Sequence, residues 1–109
     1  MGIGYLSDMK YTDTLDNLII AFCKDYSRRE SAIRECAHSR RTIMEYKYLN
    51  ARLREAACEI VGEDGDAYIN EIGGKIGYAN SSVNVSESTY KQLKKEVKVN
   101  IAKKLHLIG

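Results

Sequence analysis

The sequence contains no proline and no tryptophan, and no glycine occurs between residues 12 and 60. Proline and glycine are the residues that most often end or weaken helices, so their absence favours long uninterrupted helical segments. The longest purely apolar run, Leu18 to Cys23, has six residues and is far too short to cross a bilayer. The first residues have neither the basic nor the apolar region of a secretory signal. We therefore expect a cytoplasmic protein that does not enter a membrane.

Cysteine is also scarce, and the three that occur do not form a recognisable framework. Cys23, Cys36 and Cys58 are odd in number and widely separated, which argues against disulfides. Cys23 and Cys58 have apolar neighbours and are expected in the core. No Cys-x-x-Cys pair is present, and only one residue separates Cys36 from His38, which excludes the usual zinc spacing. The sequence predicts no metal site and no cofactor.

Catalytic patterns are missing as well. Asp64-x-Asp66 begins like a calcium-binding EF-hand loop, but Tyr68 and Lys75 occupy positions that need oxygen ligands. Elsewhere, no nucleophile, base and orienting group are brought together by spacing. We therefore predict that the protein is not an enzyme.

The composition that remains is that of one globular domain. The 109 residues are 44% hydrophobic and 29% charged, which is ordinary for a folded domain. We predict a single domain over residues 1–109, with a long helical portion at 12–61 and a helix-turn-helix-like portion at 66–109. Gly62 and Gly65 mark the boundary, because glycine suits a left-handed helix cap and a turn.

The N-terminal portion has one apolar stripe at helical spacing, from Leu15 to Tyr48. A single helix over this portion would be about 70 Å long, which is too long for a compact domain. The stripe weakens near Ser27 and near His38. The sequence therefore predicts an all-α fold with two long N-terminal helices, at about 13–37 and 40–61, arranged as a hairpin or a bent rod.

The C-terminal portion predicts a short helix at 67–72 and a strong helix from Ser86 to about Leu105. Ser86 is a suitable N-cap, because its hydroxyl can accept a hydrogen bond from an unpaired amide of the first turn. The helix has one apolar face, formed by Tyr90, Leu93, Val97, Ile101 and Leu105. A helix-turn-helix motif needs a short first helix before such a capped helix. Residues 75–83 are the candidate, and an ordinary polar loop is the alternative.

Charge is unevenly distributed along the chain. Residues 51–83 carry three basic and six acidic side chains, whereas residues 84–109 carry six lysines against Glu87 and Glu96. Arg28-Arg29 and Arg40-Arg41 could form a second basic patch, but neighbouring carboxylates favour a solvated helix surface there. The sequence therefore places the basic end of the molecule at its C-terminus.

The pattern Ser86-x-x-Thr89-Tyr90-x-x-Leu93-Lys94-x-x-Val97-x-x-x-Ile101-Ala102-x-x-Leu105 is similar to the C-terminal motif of the ArpU-like phage transcriptional regulators. The tail of that family looks like region 4 of a sigma factor. The resemblance covers about 25 residues and implies a helix-turn-helix regulator of phage or prophage genes, with double-stranded DNA as its partner.

On this interpretation, the residues of the last helix divide into two sets. Those facing base edges in the major groove would be Glu87, Ser88, Lys91, Gln92 and Lys95, and glutamine can bind adenine through two hydrogen bonds. Those holding phosphates would be Ser86, Thr89, Lys94 and Lys98. The N-terminal helices would then form a homo-oligomer or contact RNA polymerase. The alternative is a helical interaction or oligomeric structural protein that does not bind DNA, in which the N-terminal stripe is the functional surface and the basic tail only packs.

Overall fold

The computed structural model describes residues 11–108, and within them it contains helices and no strands. The predicted all-α class is therefore confirmed. Two single turns of 3-10 helix lie at Gly62–Asp64 and Tyr78–Asn80. The α-helices are α1 (Asp13–Lys24), α2 (Tyr26–Glu35), α3 (Arg40–Val61), α4 (Gly65–Gly73) and α5 (Glu87–Lys104).

Side-chain caps fix the starts of three helices. The hydroxyls of Thr12, Ser39 and Ser86 each accept a hydrogen bond from the amide three residues further on. Each bond satisfies an amide that has no partner inside the helix. The observed bounds of α3 and α5 match the predicted 40–61 and 86–105 to within one residue.

The helix predicted at 13–37 is divided in two, which corrects that expectation. α1 and α2 meet at Asp25, whose backbone leaves the helical region, and α2 ends at Cys36 in the left-handed conformation, with φ of 50°. Near the break, Arg29 donates from Nη2 to the Phe22 carbonyl over 2.6 Å. The sequence has no proline or glycine at this position that would predict a break. The interactions that accompany the break are contacts between helices.

α2 and α3 form an antiparallel pair joined by residues 36–39. The Asn50 side chain donates from Nδ2 to the Tyr26 carbonyl over 3.1 Å. Both residues lie about ten positions from the connection, so the two helices stay in contact over their length and run in opposite directions. Asn50 also accepts from Arg29 Nε over 2.6 Å and donates to Glu30 over 2.8 Å. This buried cluster fixes the packing of α2 on α3.

The core lies between the C-terminal half of α3 and the helices α1, α4 and α5. Its largest fully buried side chains include Ile19, Leu53, Ile69 and Ile101. Cys23 is buried as expected, but Cys58 is exposed, so its predicted core position is wrong.

α1 and α4 approach with almost no space between their backbones. A Cβ atom at Gly73 would lie 2.5 Å from the carbonyl carbon of Cys23, so only glycine fits at this crossing. The contact places α4, and the chain that follows it, against α1.

Candidate nucleic-acid interface on α5

α5 is held firmly on one side. Tyr90, Val97 and Ile101 are buried, and the helix packs chiefly on α3 and also on α1. At its start, the Ser86 hydroxyl accepts from the Thr89 amide and also lies 2.9 Å from the Thr89 hydroxyl. Two of the residues predicted to hold phosphates, Ser86 and Thr89, form the N-terminal cap of α5. Both are exposed.

The predicted first helix at residues 75–83 does not form as an α-helix. The segment contains only the 3-10 turn Tyr78–Asn80, and Lys75 has a φ of 54°. Further on, Ser81 and Ser82 both donate to the Glu71 carboxylate. These bonds hold the chain in an irregular path, which agrees with the weak helix propensity of a serine pair.

Glu71 is the centre of a buried polar cluster that sequence reasoning missed. Its carboxylate accepts from the hydroxyls of Ser81, Ser82 and Tyr90 at 2.6–2.7 Å, and from the Ser82 amide at 3.0 Å. Burial alone would raise the pKa of Glu71, but these hydrogen bonds outweigh it and lower the pKa to about 2. For Tyr90, burial and the bond to Glu71 raise the pKa to about 12. The cluster ties the start of α5 to α4 and to the connection between them.

The outward side of α5 has a continuous polar stripe. Its exposed members are spaced three and four residues apart and therefore share one face: Ser88, Lys91, Gln92 and Lys95. Lys91 forms an ion pair with Glu87 at 3.0 Å, and Gln92 donates to Glu96 over 3.0 Å. All five residues predicted to face base edges thus lie together on the exposed first turns.

Lys94 and Lys98 point toward the fold rather than away from it. Lys94 donates from Nζ to the Ile76 carbonyl over 2.7 Å and lies over the Tyr90 ring. Its pKa is lowered, first by burial and then by the charge of Lys98. Lys98 forms an ion pair with Asp16 of α1 at 2.8 Å. These two predicted phosphate contacts are therefore engaged within the structure.

Carboxylates of α1 and α3 neutralise part of the positive charge of α5. For Asp16, burial would raise the pKa, but hydrogen bonds from Lys98 and Tyr11 outweigh it and lower the pKa. Lys104 pairs with Glu55 and Glu59 of α3. Sequence reasoning missed these partners, because they lie 45 or more positions away along the chain. The exposed positive charge of α5 therefore rests mainly on Lys91, Lys95 and Lys103.

A second exposed surface lies on α3, far from the start of α5 along the chain. Met44 and Tyr48 are 62% and 55% exposed, on one side of the helix and one turn apart. The sequence stripe from Leu15 to Tyr48 contained this feature, but it did not show which members the fold covers.

Residues 11–108 contain neither a metal-ligand cluster nor a membrane-spanning helix. No group of three or more histidine, cysteine or acidic side chains in this part of the chain is placed to hold a metal ion. None of its helices combines the length and the apolar composition that crossing a bilayer requires.

Comparison of the chain with protein-family models, with curated proteins and with solved structures found no match. The resemblance to the ArpU-like regulators therefore stays a prediction that rests on the residues of the C-terminal motif.

Proposed function

We propose that the protein binds double-stranded DNA through the outward stripe of α5. The observation that carries this proposal is the exposed row of Ser88, Lys91, Gln92 and Lys95 on a helix whose opposite face is buried. A helix held in this way can enter a major groove without losing its own packing. Its capped start also presents the positive end of the helix dipole, which favours phosphate.

The proposed contacts require two exposed interactions to open. Gln92 has to release Glu96 before its amide can bind a base edge, and Lys91 has to release Glu87. Exposed pairs of this kind contribute at most about 1 kcal/mol, so the cost of opening them is small. Base recognition would then come from Gln92 and Lys91, and backbone contact from Lys95.

The charge of the stripe limits how tightly it can bind. Lys95 and the helix start provide about one or two phosphate contacts, because Lys94 and Lys98 are occupied elsewhere and Lys91 is assigned to base edges. The slope of log affinity against log salt should therefore be about −1 to −2, at about −0.9 per phosphate.

In biological terms, the proposal is a small transcriptional regulator of phage or prophage type. The similarity of the C-terminal motif to that of the ArpU-like regulators supports it, with α4 and α5 as the helix pair and residues 74–86 as an unusually long connection. The helices α1 to α3 would then serve self-association or contact with RNA polymerase.

Fluorescence anisotropy with labelled random duplex DNA, at two salt concentrations, tests the proposal. Sites enriched by selection from the same pool provide the specific ligand. Lys91→Ala and Gln92→Ala should weaken binding to selected sites by about 1–3 kcal/mol, and binding to random DNA by less. The matched control is Lys47→Ala, an exposed lysine of α3. Absence of binding at low salt would refute the proposal.

The alternative function, a helical interaction protein without DNA binding, is favoured by one observation. Lys94, Lys98 and Lys104 are all paired within the fold, as expected if the basic tail mainly packs. The anisotropy experiment separates the two functions, because the alternative predicts no saturable binding to any duplex.

A further inference from the structure

We propose that the outward face of α3 is the contact surface of an antiparallel homodimer. Two large apolar side chains, Met44 and Tyr48, are the most exposed of their kind among residues 11–108. They lie beside Arg40, Arg41 and Glu45, which line the same open surface. A solvent-exposed apolar stripe with a charged border is typical of an interaction site.

The residues of this face have the spacing of a helix-pairing seam. Positions separated alternately by three and four residues follow one line along α3: Arg41, Met44, Tyr48, Ala51 and Glu55. This is the repeat with which two helices pack side by side. Its centre is apolar, and its two ends carry opposite charges.

The charges favour a second copy of this chain as the occupant, in one orientation. In an antiparallel pair related by a two-fold axis at Tyr48, Arg41 lies opposite Glu55 of the second copy, because each is seven residues from the axis. Glu45 likewise lies within one position of the second copy's Arg52. A parallel pair would instead bring Arg41 against Arg41. The seam is therefore self-complementary only in the antiparallel arrangement.

Within one copy, Arg41 pairs with Glu45 at 3.8 Å, and Glu55 pairs with Arg52 and Lys104 at 3.5 Å. These long, partly exposed pairs contribute at most about 1 kcal/mol each, so exchanging them for pairs across the dimer costs little.

Two further features favour association through the outward face of α3. Arg52 places its guanidinium 5.3 Å from the centre of the Tyr48 ring, within the range of a cation–π contact that orders the ring. On the opposite side of α3, the cluster of Arg29, Asn50 and Glu30 holds the helix in place. The seam is thus presented on a helix that is already ordered, which lowers the entropic cost of association.

Sedimentation velocity without DNA, over two orders of magnitude in protein concentration, tests the dimer. The wild-type chain should shift from monomer to dimer. Tyr48→Glu should raise the dimer Kd by about tenfold or more, since central aromatic side chains dominate such contacts. The control is Leu18→Glu, which replaces an exposed apolar side chain of α1 and should leave the Kd unchanged. A chain that stays monomeric at every concentration, or a dimer indifferent to Tyr48→Glu, would overturn the proposal.

Charge exchange tests the orientation. Arg41→Glu alone and Glu55→Arg alone should each weaken the dimer, because each brings like charges together. The double variant should restore the dimer, since the exchanged pair is again complementary. Failure of this rescue, with circular dichroism showing an intact helical fold, would overturn the antiparallel register. The result is independent of DNA binding, because no nucleic acid is present.

Discussion

Arg29 donates from Nε to the side-chain oxygen of Asn50 over 2.6 Å, in the buried contact between α2 and α3. The arginine is only 4% exposed and Asn50 is fully buried. A buried guanidinium is costly unless its donors are satisfied. Asn50 meets part of this need and also donates to Tyr26 and Glu30. One amide therefore joins a charge, a backbone carbonyl and a carboxylate.

Replacing this amide should destabilise the protein. Asn50→Ala removes a partner of Arg29 and two donor contacts, and each buried group left unpaired costs about 1–3 kcal/mol, more when it is charged. We expect a loss of about 3 kcal/mol in the free energy of unfolding, measured by urea denaturation. Asn17→Ala, at an exposed position of α1, should change it by less than about 0.5 kcal/mol. Equal stability of the two variants would show that the cluster contributes little.

Two glycines should respond in opposite ways to alanine. At Gly73, a Cβ atom would lie 2.5 Å from the backbone of Cys23 and Lys24, which cannot move aside as a flexible side chain can. We expect Gly73→Ala to cost about 3 kcal/mol or more. At Gly77 the space is open and φ is −86°, so alanine should stabilise by about 0.4–1 kcal/mol. Thermal unfolding of both variants checks this, and a mild effect at Gly73 would contradict the close packing of α1 on α4.

The Glu71 cluster should make the fold sensitive to acid. The pKa of Glu71 is lowered from 4.5 to about 2 in the folded protein. Its ionised form therefore stabilises the fold fully above pH 4.5, and this contribution is lost as the pH falls toward 2. Urea denaturation at about pH 6 and about pH 3 should show a larger decrease for the wild type than for Glu71→Gln, which cannot titrate. The same decrease in both proteins would assign the acid sensitivity to other carboxylates.

Lys95 and Lys98 should separate DNA contact from folding. Lys95 is exposed on the outward stripe, so Lys95→Ala should lower the salt slope of DNA binding by about one and leave stability unchanged. Lys98 pairs with Asp16 in a half-buried position, so Lys98→Ala should reduce stability by about 1 kcal/mol and leave the slope unchanged. The reverse pattern would place Lys98, rather than Lys95, against the phosphates.

The helices that the sequence predicted well are those whose ends are set by local chemistry. α3 begins after the Ser39 cap, and the Gly62 that follows it has a φ of 62°. α5 begins after Ser86 for the same reason. A cap acts within four residues of itself, so it can be recognised without knowledge of the fold. The all-α class follows from the same local preferences.

What the sequence could not predict depends on distant partners. The break between α1 and α2 at Asp25 coincides with the packing of Arg29 against Phe22 and Asn50. The orientation of Lys98 depends on Asp16 in another helix. Periodicity showed that α5 has an apolar face, but it could not separate the lysines at the edge of that face from those opposite it. The predicted interface therefore contained both kinds.

The contacts of α1 determine when this helix can pack on its partners during synthesis. α1 packs mainly on α4 and α5, and only a few of its contacts are with the neighbouring α2. Its ion pair from Asp16 reaches Lys98, and its tight crossing involves Gly73. During synthesis α1 leaves the ribosome well before either partner has been made. α1 can therefore take its final place only after α4 has been made, and its ion pair forms only after most of α5 has followed.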